Sequence, residues 1–190
     1  MIWRSLILLL AGLAAGAALA VFLVFGPLEI GGTRVGPWAT NPLIGASDAG
    51  PMTRAIVARR GLLALNRSET VYFTAFEDSN GRTLRETCKY RVSGGALPTR
   101  WWSFTLYGED NFLPVNGDEA HALTRTDLGN TDWTFIAGPR RPDGTPWLST
   151  RRSGAFSITL RLYHPDPVVL EAPETLDLPE IERVGCGEAS

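Results

Sequence analysis

The sequence predicts a mainly β protein: an antiparallel β-sandwich or jelly-roll-like domain with one short helix, preceded by a single N-terminal transmembrane helix. Three observations support this prediction. Short segments of alternating apolar and polar residues recur from residue 69 onward, turn-forming pairs such as Asn80-Gly81 separate them, and a long apolar run lies near the N-terminus. We therefore divide the chain into a membrane anchor (1–26), a linker (27–46) and an exported domain (47–190).

The apolar run covers residues 6–25 and contains no charged residue. A helix of that length spans about 30 Å, which matches the hydrocarbon core of a bilayer. Arg4 lies on the short side of the run, so the longer part of the chain is expected across the membrane from the cytoplasm. A cleavable signal is the alternative, because Ala18-Leu19-Ala20 is typical of a cleavage site. The apolar run continues through residues 21–25, which favours retention as an anchor.

The cysteines and the basic residues predict the compartment. Cys88 and Cys186 are the two cysteines of the chain, and in an exported protein they most simply form one disulfide, the alternative being two buried free thiols. Lys89 is the single lysine among 18 basic residues, a bias that suggests a GC-rich bacterial genome. These features together predict a single-pass protein of the bacterial inner membrane with its C-terminal domain in the periplasm.

One soluble helix is predicted before the β-rich part. Ser47-Asp48 provides an N-cap, Pro51 lies in the first turn, and Gly61 ends the helix as a C-terminal glycine. The segment 27–46 before it is rich in glycine and proline and is typical of a linker that settles onto the domain.

Five strands are predicted from alternation and turn signals. The segment 69–75 and a returning strand at 88–92 form a hairpin closed by Asn80-Gly81. Further alternating segments cover residues 101–107, 132–137 and 156–163.

Composition excludes several classes of function. The 190 residues carry a net charge of -2, so the electrostatic footprint of a nucleic-acid binder is missing. The two histidines and two cysteines show no metal-ligand spacing, and the chain has no glycine-rich phosphate loop. The sequence therefore predicts no metal, no cofactor and no nucleic-acid partner.

Polar and aromatic residues occupy one face of three predicted strands. If these strands are neighbours, one sheet face carries aromatic rings, hydroxyl groups and Arg161, a mixture that suits a saccharide or a small acidic ligand. The alternative is an ordinary solvated sheet face. The candidate ligand-binding residues are Tyr72, Trp101, Ser103, Thr105, Tyr107, Arg161 and Tyr163.

Arg161 has two possible roles on this face. It can pair with an acidic residue of an adjacent strand, for which Glu69, Glu77 and Asp78 are candidates, or it can present its guanidinium group to a bound carboxylate or phosphate. The sequence favours the structural pair because exposed charges on a sheet are usually matched across strands.

Several motifs resemble a bacterial family of domains of unknown function, numbered 1214. The most specific are the strands Trp102-Ser103-Phe104-Thr105-Leu106-Tyr107 and Leu160-Arg161-Leu162-Tyr163, and the likeness covers roughly residues 50–185. The resemblance implies a jelly-roll-like β domain that often follows a 1254-type domain in longer exported proteins. This chain is expected to be a short, membrane-anchored member without that companion domain. It reads Pro146-Trp147-Leu148 where the family usually has Asn before Trp-Leu, so any role of that Asn is lost.

The sequence favours a non-catalytic, membrane-anchored periplasmic module that binds an envelope saccharide or small acidic ligand. One alternative is a hydrolase that modifies envelope glycans or lipids, with Glu69, Asp78 and Glu109 as acid–base candidates beside Arg161. The other alternative is a structural partner in envelope assembly. The catalytic residues, the protein partners and the oligomeric state stay open at this level.

Overall fold

The structure is a computed structural model of the chain. It describes residues 2–25, 32–41, 43–46, 48–59 and 65–187. The predicted N-cap residue Ser47 and the predicted helix-ending Gly61 lie outside the described residues.

The described chain contains ten strands, four α-helices and one 3-10 helix (Pro173–Thr175). The strands are β1 (Thr33–Val35), β2 (Trp38–Thr40), β3 (Thr70–Ala75), β4 (Cys88–Gly94), β5 (Thr99–Tyr107), β6 (Ala122–Thr124), β7 (Trp133–Gly138), β8 (Trp147–Ser149), β9 (Ser157–Pro165) and β10 (Glu180–Cys186). The α-helices are α1 (Ile2–Phe25), α2 (Pro51–Arg59), α3 (Arg125–Leu128) and α4 (Pro167–Glu171).

The N-terminal helix α1 agrees with the predicted apolar run. Its stretch Ile2–Leu23 is long and apolar enough to cross a membrane, by length and composition, and none of it is buried against the domain. A single span and a signal sequence meet this criterion equally.

The strands form two sheets, and this arrangement confirms the predicted mainly β fold. The six-stranded sheet has the order β1-β2-β3-β9-β5-β6, and the four-stranded sheet has the order β10-β4-β7-β8. Neighbouring strands are antiparallel except for β7 and β8, which are parallel. The predicted strands at 69–75, 101–107, 132–137 and 156–163 therefore correspond to β3, β5, β7 and β9.

The core lies between the two sheets and is rich in aromatic rings. Phe104 of the six-stranded sheet lies at its centre, with its ring centroid 5.3 Å from that of Trp133 and 5.0 Å from that of Phe135, both on the four-stranded sheet. All three rings are at most 5% exposed. Burial of such large rings contributes much of the stability of a domain of this size.

The glycine- and proline-rich segment 27–46 is not a free linker where the structure describes it. Strands β1 and β2 form a hairpin through Gly36, whose φ is +56°, and β2 pairs with β3. Trp38 is fully buried in the core, and its Nε1 donates to the carbonyl of Pro179 at 2.7 Å. This segment therefore extends the six-stranded sheet, because burial of Trp38 outweighs the weak strand propensity around it. The boundary at residue 47 stays a prediction.

The predicted hairpin between residues 69–75 and 88–92 is wrong in its pairing. Asn80-Gly81 does form a tight turn, closed by a bridge between Glu77 and Thr83, but β4 then crosses to the other sheet. There β4 lies between β10 and β7. Its buried residues face the core, so pairing in the second sheet covers an apolar surface that a simple hairpin would leave exposed.

The disulfide prediction is confirmed. Cys88 and Cys186 are joined across 98 residues, which fastens the end of β10 to the start of β4.

The helices other than α1 are short, and α3 and α4 directly follow β6 and β9. Helix α2 starts at Pro51. Proline is favoured at the first position of a helix, because the backbone N–H that it lacks would have no intrahelical partner there. Helices α3 and α4 are turns of four and five residues, too short to leave a periodic pattern in the sequence.

Candidate functional site

The three strands that carry the predicted polar positions are direct neighbours. Strand β9 lies between β3 and β5, and Arg161 is paired with Tyr72 on one side and Ser103 on the other. We call this outer surface of the six-stranded sheet the aromatic face. It consists of Thr70, Tyr72, Thr74, Trp101, Ser103, Thr105, Tyr107, Ser157, Thr159, Arg161 and Tyr163.

Arg161 lies at the middle of the aromatic face and is half-buried. Its Nη1 donates to the Thr105 hydroxyl at 2.8 Å, and its Nη2 donates to the Tyr107 hydroxyl at 2.5 Å. Its Cζ lies 5.7 Å from the ring centroid of Tyr72 and 5.6 Å from that of Tyr107. Two tyrosine rings and two hydroxyl groups therefore hold the guanidinium in place.

The expected ion pair of Arg161 does not form. Among the described residues no carboxylate lies within 4.0 Å of its guanidinium, while Glu77 pairs with Arg34 and Asp78 pairs with Arg183. Glu69 is exposed at the edge of the face. The hydroxyl groups that occupy Arg161 are neutral, so they satisfy hydrogen bonds and leave the positive charge uncompensated.

Two further aromatic side chains of the face lie on the opposite side of Arg161 from Thr105 and Tyr107, because Trp101 pairs with Tyr163, two residues along β9 from Arg161. The ring centroids of Trp101 and Tyr163 are 5.2 Å apart at 55°, and both side chains are partly exposed. Trp101 Nε1 donates to the Thr126 hydroxyl at 3.4 Å, which orients the indole. Such a pair provides an apolar surface against which a saccharide ring can pack.

The remaining positions of the face are more buried than a solvated sheet face would be. Ser103 is 7% exposed and Thr159 is 2% exposed, while the Tyr72 hydroxyl accepts from the backbone N–H of Leu65 at 3.1 Å. Thr70 is fully buried, and its Oγ1 has no hydrogen-bond partner among the described residues. The part of the aromatic face around Thr70, Ser103 and Thr159 is therefore enclosed, and the alternation of the sequence does not predict this burial.

The acid–base candidates are not brought together. Asp78 is 1% exposed, accepts from the backbone N–H groups of Asn80 and Arg82, and pairs with Arg183 at 3.0 Å, so its role is structural. Glu69 and Glu109 are exposed at different ends of the fold, one before β3 and one after β5.

Neither histidine forms an acid–base pair. His121 follows Asp118, but that carboxylate instead accepts from the Ser149 hydroxyl at 2.6 Å and pairs with Arg151 at 3.0 Å. His164 is exposed at the end of β9. In the described part of the chain no group of three or more His, Cys, Asp or Glu residues could hold a metal ion.

Fold and site together define a two-sheet β-sandwich domain with a partly enclosed aromatic face around one arginine. The chain belongs to the family described as protein of unknown function (DUF1214), which matches residues 69–167, just over half of its length. That match includes all three strands of the aromatic face. It supports the resemblance seen in the sequence and assigns no activity.

One solved structure shares the fold, and a second shows a weaker likeness. One is the VPA0106 protein from Vibrio parahaemolyticus, with a TM-score of 0.58 and 24% identity over 73% of this chain and 36% of that chain. The other is an uncharacterized protein from Burkholderia cenocepacia, with a TM-score of 0.46 and 13% identity over 60% of this chain and 29% of that chain. The chain thus spans about a third of the length of these proteins. No curated protein matches it.

Proposed function

We propose that the protein is a membrane-anchored, non-catalytic binding module of the bacterial periplasm, and that its aromatic face binds an acidic saccharide or another small carboxylated ligand of the envelope. The apolar helix α1 and the Cys88–Cys186 disulfide support the location, because a disulfide persists in an oxidising compartment. The dispersal of Glu69, Asp78 and Glu109 favours binding over hydrolysis.

The observation that carries this proposal is the environment of Arg161. A guanidinium group has five N–H donors, and two of them donate to Thr105 and Tyr107. The remaining donors and the positive charge are suited to a carboxylate, which Arg can bind through two parallel hydrogen bonds. The rings of Trp101 and Tyr163 lie on the same face, one pair of strand positions from Arg161 and away from Thr105 and Tyr107. We expect them to contact the body of a ligand as long as an oligosaccharide.

The test compares Arg161→Lys and Trp101→Ala with the wild type in the full-length protein in neutral detergent. The probes are oligogalacturonate, which carries one carboxylate on each sugar, and its neutral methyl ester, with binding measured by calorimetry. We expect oligogalacturonate to bind in preference to the ester. Arg161→Lys should weaken its binding about tenfold, because Lys keeps the charge and loses the fork. Trp101→Ala should weaken both probes.

The matched control is Arg100→Lys, since Arg100 is exposed on the same strand as Trp101 and lies outside the aromatic face. It should leave both affinities unchanged. Binding of the ester as tight as that of the acid would contradict the role of Arg161. Equal losses in Arg161→Lys and Arg100→Lys would contradict it as well.

The location has its own test. A periplasm-dependent alkaline phosphatase reporter fused after residue 187 should be active, and a cytoplasm-dependent reporter at the same point should be inactive. The reverse pattern would contradict the proposed topology.

A further inference from the structure

A second surface, which belongs to the four-stranded sheet and not to the sheet of the aromatic face, concentrates positive charge. An open groove of about 830 Å³ lies where the disulfide joins β4 to β10 at the end of the four-stranded sheet. Five cationic side chains line it: Lys89, Arg140, Arg141, Arg151 and Arg152. Among the described residues of its lining, Glu86 is the single acidic one. We call this surface the basic groove.

The sheet topology explains why these cations meet. Strands β7 and β8 are parallel, with Gly138 opposite Ser149, so both strands end at the same edge of the sheet. Arg140-Arg141 and Arg151-Arg152 each begin two residues after one of these paired positions. The parallel register therefore places two arginine pairs side by side.

Lys89 joins the same edge from β4. In the antiparallel pairing of β4 with β7, Tyr90 lies opposite Ala137, and Lys89 is the next residue toward the edge where β7 ends. Lys89 lies close to the end of β7, because a Cβ placed on Gly138 would be 3.6 Å from the Lys89 Cα. Three separate segments of the chain thus contribute positive charge to one groove.

Most of this charge is not neutralised by the protein. Arg151 pairs with Asp118 at 3.0 Å, and the Glu86 carboxylate accepts from the Gly154 N–H at 2.9 Å. In the described part of the chain, no carboxylate lies within 4.0 Å of the charged groups of the other four cationic residues. Like charges gathered in this way repel one another, and a bound anion would remove that repulsion.

The backbone of one of these arginines is strained. Arg152 has a φ of +60°, a conformation that non-glycine residues adopt uncommonly and that is often found at ligand sites. Its side chain is exposed and lines the groove.

We propose that the basic groove binds an anion that carries two or more phosphate groups. Arginine forks match the oxygen geometry of phosphate, and several cations on different segments require a ligand with several negative charges. A monocarboxylate could neutralise one of them at most. This site is distinct from the aromatic face, which presents the single cation Arg161.

The test uses the full-length protein in phosphatidylcholine nanodiscs with tripolyphosphate as the probe. We expect calorimetry to show binding that weakens as salt concentration rises. The variant Arg140→Gln/Arg141→Gln should weaken binding about tenfold or more, because it removes two charged donors. The matched control Arg82→Gln/Arg100→Gln removes the same charge from exposed positions outside the groove and should change affinity by less than about twofold.

Two further variants keep the result interpretable. Lys89→Gln lies on a different segment and should weaken binding in the same direction, which covers the case in which the double variant does not fold. Arg161→Gln should leave tripolyphosphate binding unchanged. If Arg161→Gln abolishes binding, the anion lies on the aromatic face and the proposal for the groove is overturned.

A vesicle arm identifies the source of the phosphate. If lipid headgroups are the ligand, the protein in its nanodisc should capture separate phosphatidylglycerol vesicles and not phosphatidylcholine vesicles, and the double variant at Arg140 and Arg141 should lose this capture. Tripolyphosphate binding without vesicle capture assigns the site to a soluble phosphate compound. Absence of both, or equal losses in the groove variant and its control, overturns the proposal.

Discussion

Packing of Trp133 against its neighbouring strand in the four-stranded sheet can be tested at two adjacent glycines that differ in their surroundings. A Cβ on Gly94 would lie 2.8 Å and 2.9 Å from two indole carbons of Trp133 and 3.3 Å from Cβ of Pro179. A Cβ on Gly95 would have no atom within 4 Å. Neither glycine has a positive φ, so alanine fits the backbone at both positions. The pair Gly94→Ala and Gly95→Ala therefore isolates the contact with Trp133.

The expected magnitudes follow from these distances. Trp133 cannot move aside easily, because it is 5% exposed and its Nε1 donates to the carbonyl of Gly95 at 2.8 Å. Overpacking of this kind costs about 1–3 kcal/mol, while replacing glycine by alanine recovers about 0.4–1 kcal/mol through the unfolded state. Gly94→Ala should thus destabilise the domain by about 1–2 kcal/mol. Gly95→Ala should be neutral or stabilise it by up to about 1 kcal/mol.

Urea unfolding of the two variants in neutral detergent, followed by tryptophan fluorescence, measures the difference. A double variant Gly94→Ala/Trp133→Phe sharpens the test, because phenylalanine lacks the indole atoms that a Cβ on Gly94 would meet. The two substitutions should then be non-additive by about 1 kcal/mol. Equal stabilities of Gly94→Ala and Gly95→Ala, or full additivity in the double variant, would refute the packing of Trp133 against β4.

Two further perturbations test the fastening of the C-terminal strand. Replacing Cys88 and Cys186 by serine should lower the free energy of unfolding by about 4–5 kcal/mol, the chain-entropy value for a loop of this length; urea unfolding of the variant should match that of the reduced wild type, and an unchanged thiol titre on reduction would disprove the bridge. Asp78→Asn should cost about 1–3 kcal/mol, because it removes a buried carboxylate that accepts from two backbone N–H groups and pairs with the partly exposed Arg183. Glu182→Gln, which breaks the exposed pair with Arg91, should cost less than about 1 kcal/mol in the same assay.

The aromatic face could be predicted from the sequence to the level of strands and side-chain direction. Alternation has a period of two, so it places Tyr72, Thr105 and Arg161 opposite the core without knowledge of the fold. Alternation does not give the strand order. The sequence therefore predicts a shared face only on the condition that β3, β9 and β5 are neighbours. The hydrogen bonds from Arg161 to Thr105 and Tyr107 depend on that order, which is why an ion pair was expected instead.

The errors in the prediction have a shared physical cause. Strands β1 and β2 have three residues each, too few for alternation to appear, so the burial of Trp38 against Pro179 was not visible. The crossing of β4 to the second sheet depends on the apolar residues it buries there, and a turn signal such as Asn80-Gly81 is the same in either case. Local patterns identify strands, while long-range burial decides their partners.

The net charge of the chain likewise does not predict where charged residues cluster in the fold. A net charge of -2 excludes a protein that is basic overall, and it says nothing about where the charges lie. The two arginine pairs at 140–141 and 151–152 look like ordinary turn residues in the sequence, since each follows a short strand. Only the parallel pairing of β7 with β8 aligns the ends of those strands and brings both pairs to one groove beside Lys89. A nearly neutral chain can thus carry a strongly positive site, and its affinity for phosphate should depend on this local cluster and very little on the net charge.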